Sequence, residues 1–219
     1  TCWYWHEPTE RKFNQKIIKY FSKNSKKNGS KFSYRKVQNK SKKVYEANIT
    51  VFDALKKSDA DPNGKFFLER YIAAHAIMIS FEGIPAIYFN SLFGKANDEA
   101  KYVITGHNRD INRYKWSYEN ITKKLNNKNS KQSIFYQNLG KLLEIKRKQK
   151  AFHPNAKRLN INLGSKIFCY ERISLDKKQT IICITNLSTK LQYIKINKNL
   201  IKYRDLLGRK TFFTLDKKI

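Results

Sequence analysis

Between residues 66 and 89 the chain spells out one helix-to-strand unit and nothing that could close it. In residues 66–81, Phe67, Leu68, Tyr71, Ile72, His75, Ala76 and Ile79 recur at helical spacing and share one face. Gly83 stops that helix. Residues 84–89 form a short, nearly all-apolar run, the pattern of a parallel strand buried on both faces. Such a strand needs neighbours on either side. One αβ unit neither covers a sheet nor closes a barrel, so the missing strands are expected upstream of Thr1.

The rest of the chain supports two kinds of structure. Asp61-Pro62-Asn63-Gly64 is a strong turn signal ahead of the helix. Residues 15–21 predict a helix, 22–43 a Lys-, Asn- and Ser-rich loop with a short strand at 31–35, and 44–55 a more ordered segment. Residues 90–129 read as a long polar loop, a length that is either functional or carries short elements. Residues 130–150 are helical again, with Ile134, Phe135, Leu139, Leu142, Leu143 and Ile145 as the apolar stripe, until His153-Pro154-Asn155 breaks it. From Leu159 the period shortens, and strands are expected at 159–163, 167–173, 181–185, 191–196, 203–207 and 211–215. That spacing predicts an antiparallel sandwich. The expected fold class is therefore α/β followed by all-β.

Charge is the feature most open to misreading. Lys and Arg total 46 against 17 acidic residues, a net charge of +29. Such a value points first to nucleic acid. Of the basic residues, however, 36 are Lys and 10 are Arg, with 21 Asn beside them. Lys, Asn, Ile, Tyr and Phe share A+T-rich codons, and Arg would be favoured where phosphates are gripped bidentately. We read the charge as codon bias and not as a nucleic-acid surface. Cys2, Cys169 and Cys183 form no C-x-x-C pair, so free thiols in a reducing, cytoplasmic setting are expected, with no disulfide framework or zinc site. No apolar stretch approaches the roughly 18 residues of a membrane-spanning helix. Thr1 is not a start methionine, and the N-terminus is read as cut or processed.

Four separated motifs resemble one family. Phe81-Glu82-Gly83-Ile84-Pro85-Ala86-Ile87-Tyr88-Phe89-Asn90-Ser91-Leu92-Phe93-Gly94 resembles the eighth strand of the α-amylase superfamily barrel. Asn97-Asp98 with the run from Thr105 to Arg113 is similar to the loop after that strand in sucrose phosphorylase-like glucosyl phosphorylases (glycoside hydrolase family 13). The run from Val44 to Leu55 resembles that subfamily's insertion after strand seven, and Ala151-Phe152-His153-Pro154-Asn155 the entry to its C-terminal β domain. The resemblance implies the C-terminal part of a (β/α)8 barrel. Residues 1–65 would be the insertion, 66–152 helix seven, strand eight, a long loop and helix eight, and 153–219 an antiparallel β-sandwich, open to truncation at Ile219.

The same resemblance implies a chemistry and a gap in it. Family members act by retaining double displacement, with an Asp nucleophile and a Glu acid/base on strands four and five. Phosphate intercepts the glucosyl intermediate, and no cofactor or metal is implied. Neither strand is present, so no catalytic residue is assigned and the isolated chain is expected to be inactive. The implied partners are a glucoside and inorganic phosphate, with sucrose the first substrate. Glucosylglycerate, a sugar-phosphate glucoside, or a non-catalytic carbohydrate-binding remnant are the alternatives. Tyr45 and Glu46 fall on the acceptor loop, and Glu46 stands where several sucrose phosphorylases carry Gln. Arg109 and Arg113 are the candidate phosphate or sugar ligands, weighed against a loop-fixing ion pair with Asp98 or Asp110. Asn97 and Asp98 either order the loop or touch glucose.

Thr1–Glu7 departs from the family. Back-translated and read one base out of register, it returns His-Ala/Val-Gly-Ile-Gly-Met-Arg/Lys, against a family run of His-Asp-Gly-Ile-Gly-Met-Arg. These residues are read as an out-of-frame translation, with a divergent N-terminus as the alternative.

Overall fold

The computed structural model describes residues 2–4, 11–36, 42–195 and 204–208. In chain order these are β1 (Cys2–Tyr4), α1 (Arg11–Asn28), β2 (Lys31–Lys36), β3 (Lys42–Asn48), α2 (Val51–Leu55), α3 (Phe67–Ser80), α4 (Phe89–Leu92), α5 (Glu99–Thr105), a 3-10 turn (Asn108–Asn112), α6 (Tyr118–Asn126), α7 (Lys131–Lys148), a second 3-10 turn (Lys150–Phe152), β4 (Lys157–Asn162), β5 (Ile167–Ile173) and β6 (Thr180–Asn186). The strands make two three-stranded antiparallel sheets, ordered β1-β3-β2 and β4-β5-β6. No closed barrel is formed among the described residues.

The helices begin where side chains satisfy their first amides. Asp61 accepts from the Lys65 and Phe66 backbone N–H groups at 2.9 and 3.0 Å and from Arg70 Nη2 at 2.5 Å, which fixes the start of α3. Ser130 caps α7 by accepting from Ser133 N–H at 3.0 Å, and Lys146, Arg147 and Lys148 occupy that helix's last turn, where the dipole favours cations. Gly106, at φ 66°, ends α5 in the left-handed conformation that a side chain would disfavour.

The apolar stripes of α3 and α7 meet each other, as their spacing requires. Phe52, Tyr71, Ile72, Phe135 and Leu139 form the core, with Phe52 against Phe67 at 4.6 Å and Tyr71 against Phe135 at 4.6 Å between ring centroids. Each buried aromatic of this kind stabilises the fold by about 1.5–3 kcal/mol. The Tyr71 hydroxyl donates to the Ser91 carbonyl at 2.6 Å, so the one polar atom of that ring is satisfied.

Two expectations are corrected. Residues 84–88 are in neither helix nor strand, and Phe89 opens α4. Ile84 is 85% exposed and Phe89 55%, where a doubly buried strand was expected. A parallel strand exists only through its neighbours, and none of the described strands pairs here. The sandwich is likewise incomplete. β4, β5 and β6 match three of the expected strands, but residues 191–195 and 204–207 form no strand, and 211–215 lies outside the described residues. Leu191 and Tyr193 stand 70% and 87% exposed, with no second sheet over them among the described residues. The 90–129 segment, by contrast, takes one of its expected forms, a long connection carrying short elements: α4, α5, the first 3-10 turn and α6. The frame argument for Thr1–Glu7 falls largely outside the described residues, of which only Cys2–Tyr4 is placed, paired to β3.

Candidate functional site

The β2–β3 hairpin is the floor of the candidate site, and the 3-10 turn Asn108–Asn112 lies across it. Ser33 and Glu46 are cross-strand partners and therefore share a face. Asn108 Nδ2 donates to the Phe32 carbonyl at 2.9 Å and to Ser33 Oγ at 3.1 Å. One residue on, Arg109 Nε donates to Glu46 Oε1 at 2.9 Å. The Glu46 side chain is almost wholly buried, while that of Arg109 is 40% exposed. The carboxylate is thus the fixed element, and the guanidinium bridges it to the surface.

The alternative weighed for Arg109, an ion pair with Asp98 or Asp110, is not the pairing formed here; its partner is Glu46. Asp98 instead caps α5, accepting from Lys101 N–H at 3.2 Å while its own N–H donates to the Ile111 carbonyl at 2.6 Å. Asp110 faces Lys101 at 3.5 Å. A hydrogen bond from Thr105, with the Lys101 charge behind it, holds the Asp110 carboxyl below its ordinary range. Glu46 lies 63 positions from Arg109, so local spacing carries no signal of the pair.

Asn97 is a junction. Its Oδ1 accepts from the Thr50 N–H at 2.9 Å and from Thr50 Oγ1 at 3.1 Å. Its Nδ2 donates to the Asn28 carbonyl at 2.9 Å, and its N–H to Asp53 Oδ2 at 2.6 Å. It joins the end of α1, the β3–α2 connection and the loop before α5. Of the two roles the sequence left open for Asn97 and Asp98, these contacts are of the loop-ordering kind. The Arg113 side chain is exposed and makes no ion pair among the described residues. Tyr45 is half-buried and is the unpaired residue of a bulge in β3, between Glu46, which pairs with Ser33, and Val44, which pairs with Tyr34.

One organising residue escaped the sequence reading. Asn90, buried at the start of α4, donates from Nδ2 to the Tyr114 carbonyl at 3.1 Å and accepts from Trp116 Nε1 at 2.9 Å. It holds the chain just past Arg113. Its only sequence signal is a lone amide ending an apolar run.

A cleft of about 620 Å³ lies elsewhere, between the end of α7 and the β5–β6 turn, lined by Lys146, Arg147, Lys150, Phe152, His153 and Asp176 among others. It contains none of the six candidate residues. Lys146 Nζ donates to the Phe152 carbonyl at 3.0 Å and Lys150 pairs with Asp176 at 3.3 Å, so two of its cations are already engaged. Among the described residues no group of His, Cys, Asp or Glu could hold a metal ion, and no helix is long and apolar enough to cross a membrane.

No family model matches the chain. Among curated proteins it is similar to the glucosylglycerate phosphorylase of Escherichia coli K12, 33% identical over 171 residues, 75% of this chain and 30% of that protein. Two further glucosylglycerate phosphorylases match at 32% identity. The sucrose phosphorylase of Agrobacterium vitis is 38% identical, but over 71 residues, 32% of this chain and 13% of that protein. Among solved structures, sucrose 6F-phosphate phosphorylase from Thermoanaerobacter thermosaccharolyticum matches 86% of this chain and 39% of its own with a TM-score of 0.57 at 22% identity, a likeness of fold. The chain thus spans under a third of the length of the glucosylglycerate phosphorylases it matches. Its partial homology is to glucosyl phosphorylases of the α-amylase superfamily.

Proposed function

We propose that this chain is the acceptor-side part of a retaining glucosyl phosphorylase whose glucoside is glucosylglycerate. That reverses the order expected from the sequence, where sucrose came first. The reversal is supported by reach: the likeness to glucosylglycerate phosphorylase runs over 75% of the chain, that to sucrose phosphorylase over 32%.

The observation that carries the site is the buried Glu46 carboxylate gripping Nε of Arg109. A guanidinium anchored through Nε to a buried carboxylate is oriented before any ligand arrives, which lowers the cost of binding. Both glycerate and phosphate are oxyanions, and a guanidinium binds either one bidentately. Arg113, exposed four residues further on, supplies a second cation on the same loop. In this reading the two arginines hold the glycerate carboxylate while the bond from glucosyl C1 to the glycerate hydroxyl oxygen breaks: the glucosyl group passes to the enzyme's nucleophile, and glycerate departs with a proton from the acid/base. They then hold the phosphate that intercepts the glucosyl intermediate and departs as glucose 1-phosphate. The nucleophile and the acid/base belong to the part of the enzyme this chain does not span. Asn97 and Asp98 shape the loop, and Tyr45 sits at the bulge of β3 beside Glu46.

A chimera tests this. The matched segment of the Escherichia coli enzyme is replaced by this chain, and phosphate-dependent release of glucose 1-phosphate is compared on glucosylglycerate, glucosylglycerol and sucrose. Turnover with the highest kcat/KM on glucosylglycerate is expected. A preference for sucrose, or saturable glucoside binding without turnover in an otherwise folded chimera, overturns the reading.

A further inference from the structure

The cleft of about 620 Å³ at the end of α7 contains none of the acceptor-side residues, and the polar side-chain groups it leaves open are donors. Its acceptors are occupied. The carbonyls of Lys146, Gln149 and Lys150 take the N–H groups of Gln149, Phe152 and His153 at 3.1 Å each, and that of Phe152 takes Lys146 Nζ at 3.0 Å. Asp176 is the one carboxylate among the described lining residues. Its Oδ1 accepts from Ser174 Oγ at 2.6 Å and from the Lys178 N–H at 3.1 Å, and its Oδ2 from Lys150 Nζ at 3.3 Å. Two neutral donors are fixed by what their other atoms do. Gln179 Oε1 accepts from the Ala151 N–H at 2.9 Å, so its Nε2 is the end that donates to Gln149 Oε1 at 2.7 Å, and Gln149 keeps its own amide N–H groups. His153 Nδ1 accepts from the Asn155 N–H at 3.1 Å, which puts the proton of the neutral ring on Nε2.

Two cations of the cleft lack a carboxylate. Lys146 is half-buried and meets no acidic side chain at ion-pair distance among the described residues. Burial, with the Arg172 charge behind it, holds its pKa below the ordinary ammonium value. Arg147 is exposed and makes no hydrogen bond or ion pair among the described residues. Glu144 on the same helix gives its carboxylate to Lys148 at 2.6 Å. Complementing the α7 dipole accounts for cations in its last turn. It does not account for a half-buried ammonium without a counter-ion, a costly state that a bound anion relieves. The apolar wall is Leu143, Phe152 and Leu175. Phe152 is only 8% exposed and has Lys146 Nζ 5.8 Å from its ring centroid, so it offers no open face on which a nucleobase could stack. Aliphatic surface of this kind suits the C–H face of a sugar.

We propose that this cleft is a separate binding site for a phosphate monoester of a small sugar. Lys146 and Arg147 hold the phosphoryl group, and Gln149 Nε2 and His153 Nε2 donate to the sugar oxygens. A phosphate monoester carries between about 1.5 and 2 negative charges at pH 7, which matches the two cations left without a carboxylate, whereas a carboxylate ligand brings one. The volume lies within the usual range for an organic ligand and exceeds what one phosphate fills. The proposal goes beyond the reading of Arg109 and Arg113 and does not depend on it.

The test titrates the full 219-residue chain with glucose 6-phosphate at about 0.15 M salt, where exposed charges are screened, and follows backbone amide shifts by NMR. Saturable shifts at residues 143–153 and 174–176 are expected. Inorganic phosphate and adenosine monophosphate should bind at least about tenfold more weakly, and glucose not measurably. Arg147→Gln and Lys146→Met each remove a charged hydrogen bond and should weaken binding at least about tenfold. Arg147 is exposed, so its variant keeps the test decisive even where Lys146→Met does not fold. Lys128→Gln removes the same charge from the α6–α7 turn and should leave binding unchanged. Absence of saturable shifts, inorganic phosphate binding as tightly as the sugar phosphate (an adventitious ion only), tighter binding of adenosine monophosphate, or equal loss with Lys128→Gln each overturns the proposal. Shifts confined to residues 105–113 overturn it too, and support the anion role of Arg109 and Arg113 instead. Saturation at the cleft in a chain whose chimera releases no glucose 1-phosphate leaves this site standing and fails the functional reading.

Discussion

Arg109 and Arg113 lie four positions apart on one loop, yet the structure gives them different duties. Arg109 is an ion-pair partner of a buried carboxylate, so truncating it takes a charged hydrogen bond away from Glu46 in the interior. Arg109→Ala is expected to lower stability by about 2 kcal/mol, read as a drop in the urea midpoint at unchanged slope. Arg113→Ala removes an exposed group with no ion pair and should move that midpoint by less than about 0.5 kcal/mol. In the chimera, however, Arg113→Ala should raise the KM for phosphate. Equal destabilisation by both substitutions would refute the distinction. Both arginines were legible in the sequence as candidates, because Arg in a polar loop stands out in a Lys-rich chain. The Glu46 partner was not, since pairing across 63 positions is decided by how the hairpin folds under the loop. Asn97 was legible as important but not in what it does, because an amide's partners are set by three segments remote in sequence.

Helices and sheets meet at Arg172, the largest fully buried side chain. From β5 its Nη1 donates to the Ser80 carbonyl at the end of α3, and its Nη2 to the carbonyls of His153 and Ala156 at 2.8 and 3.2 Å. A cation there also suits the C-terminal end of the α3 dipole. Arg172→Met keeps the bulk but leaves three carbonyls without their donor, and a loss of at least about 3 kcal/mol is expected in chemical denaturation. On α3 itself, His75 is stacked on Tyr71 at 4.4 Å, with its Nδ1 2.9 Å from the Tyr71 carbonyl. Burial holds its pKa below the ordinary 6.5, and the hydrogen bond offsets only part of that. As pH falls through 6.5 the unfolded chain takes up the proton first, so stability is full above that value and declines below it. His75→Gln should flatten the pH dependence of the urea midpoint between about pH 7 and 5, and an unchanged slope would show that His75 is not its source. α3 and α7 were legible because their stripes, caps and breakers are local, and both fall within a residue or two of their expected bounds, whereas α1 runs well past the expected 15–21 and α5 and α6 lie in a segment read as loop. The 84–89 strand was misread because an apolar run reports only a tendency to be buried between neighbours. Where the described residues provide no neighbour, the same run stays bare.

The whole chain carries +29, and the distribution of that charge decides what it can recognise. Arginine is the residue suited to bidentate phosphate recognition. Here Arg70 is paired with Asp61, Arg158 with Glu82 and Arg109 with Glu46, while Arg172 is buried on backbone carbonyls. The exposed positive charge is therefore mainly lysine, with runs on α1, α6 and the end of α7. Lysines of that kind act as point charges that attract any polyanion and read no sequence. The chain is accordingly expected to bind duplex DNA and heparin alike, with an affinity that falls steeply as salt is raised and differs by less than about threefold between unrelated DNA sequences. Fluorescence anisotropy over a salt series with two unrelated duplexes measures both quantities. Discrimination of about a hundredfold or more at physiological salt would mark base readout. It would require an arginine-bearing surface built from residues other than these four, and it would displace the phosphorylase reading as the account of what this charge is for.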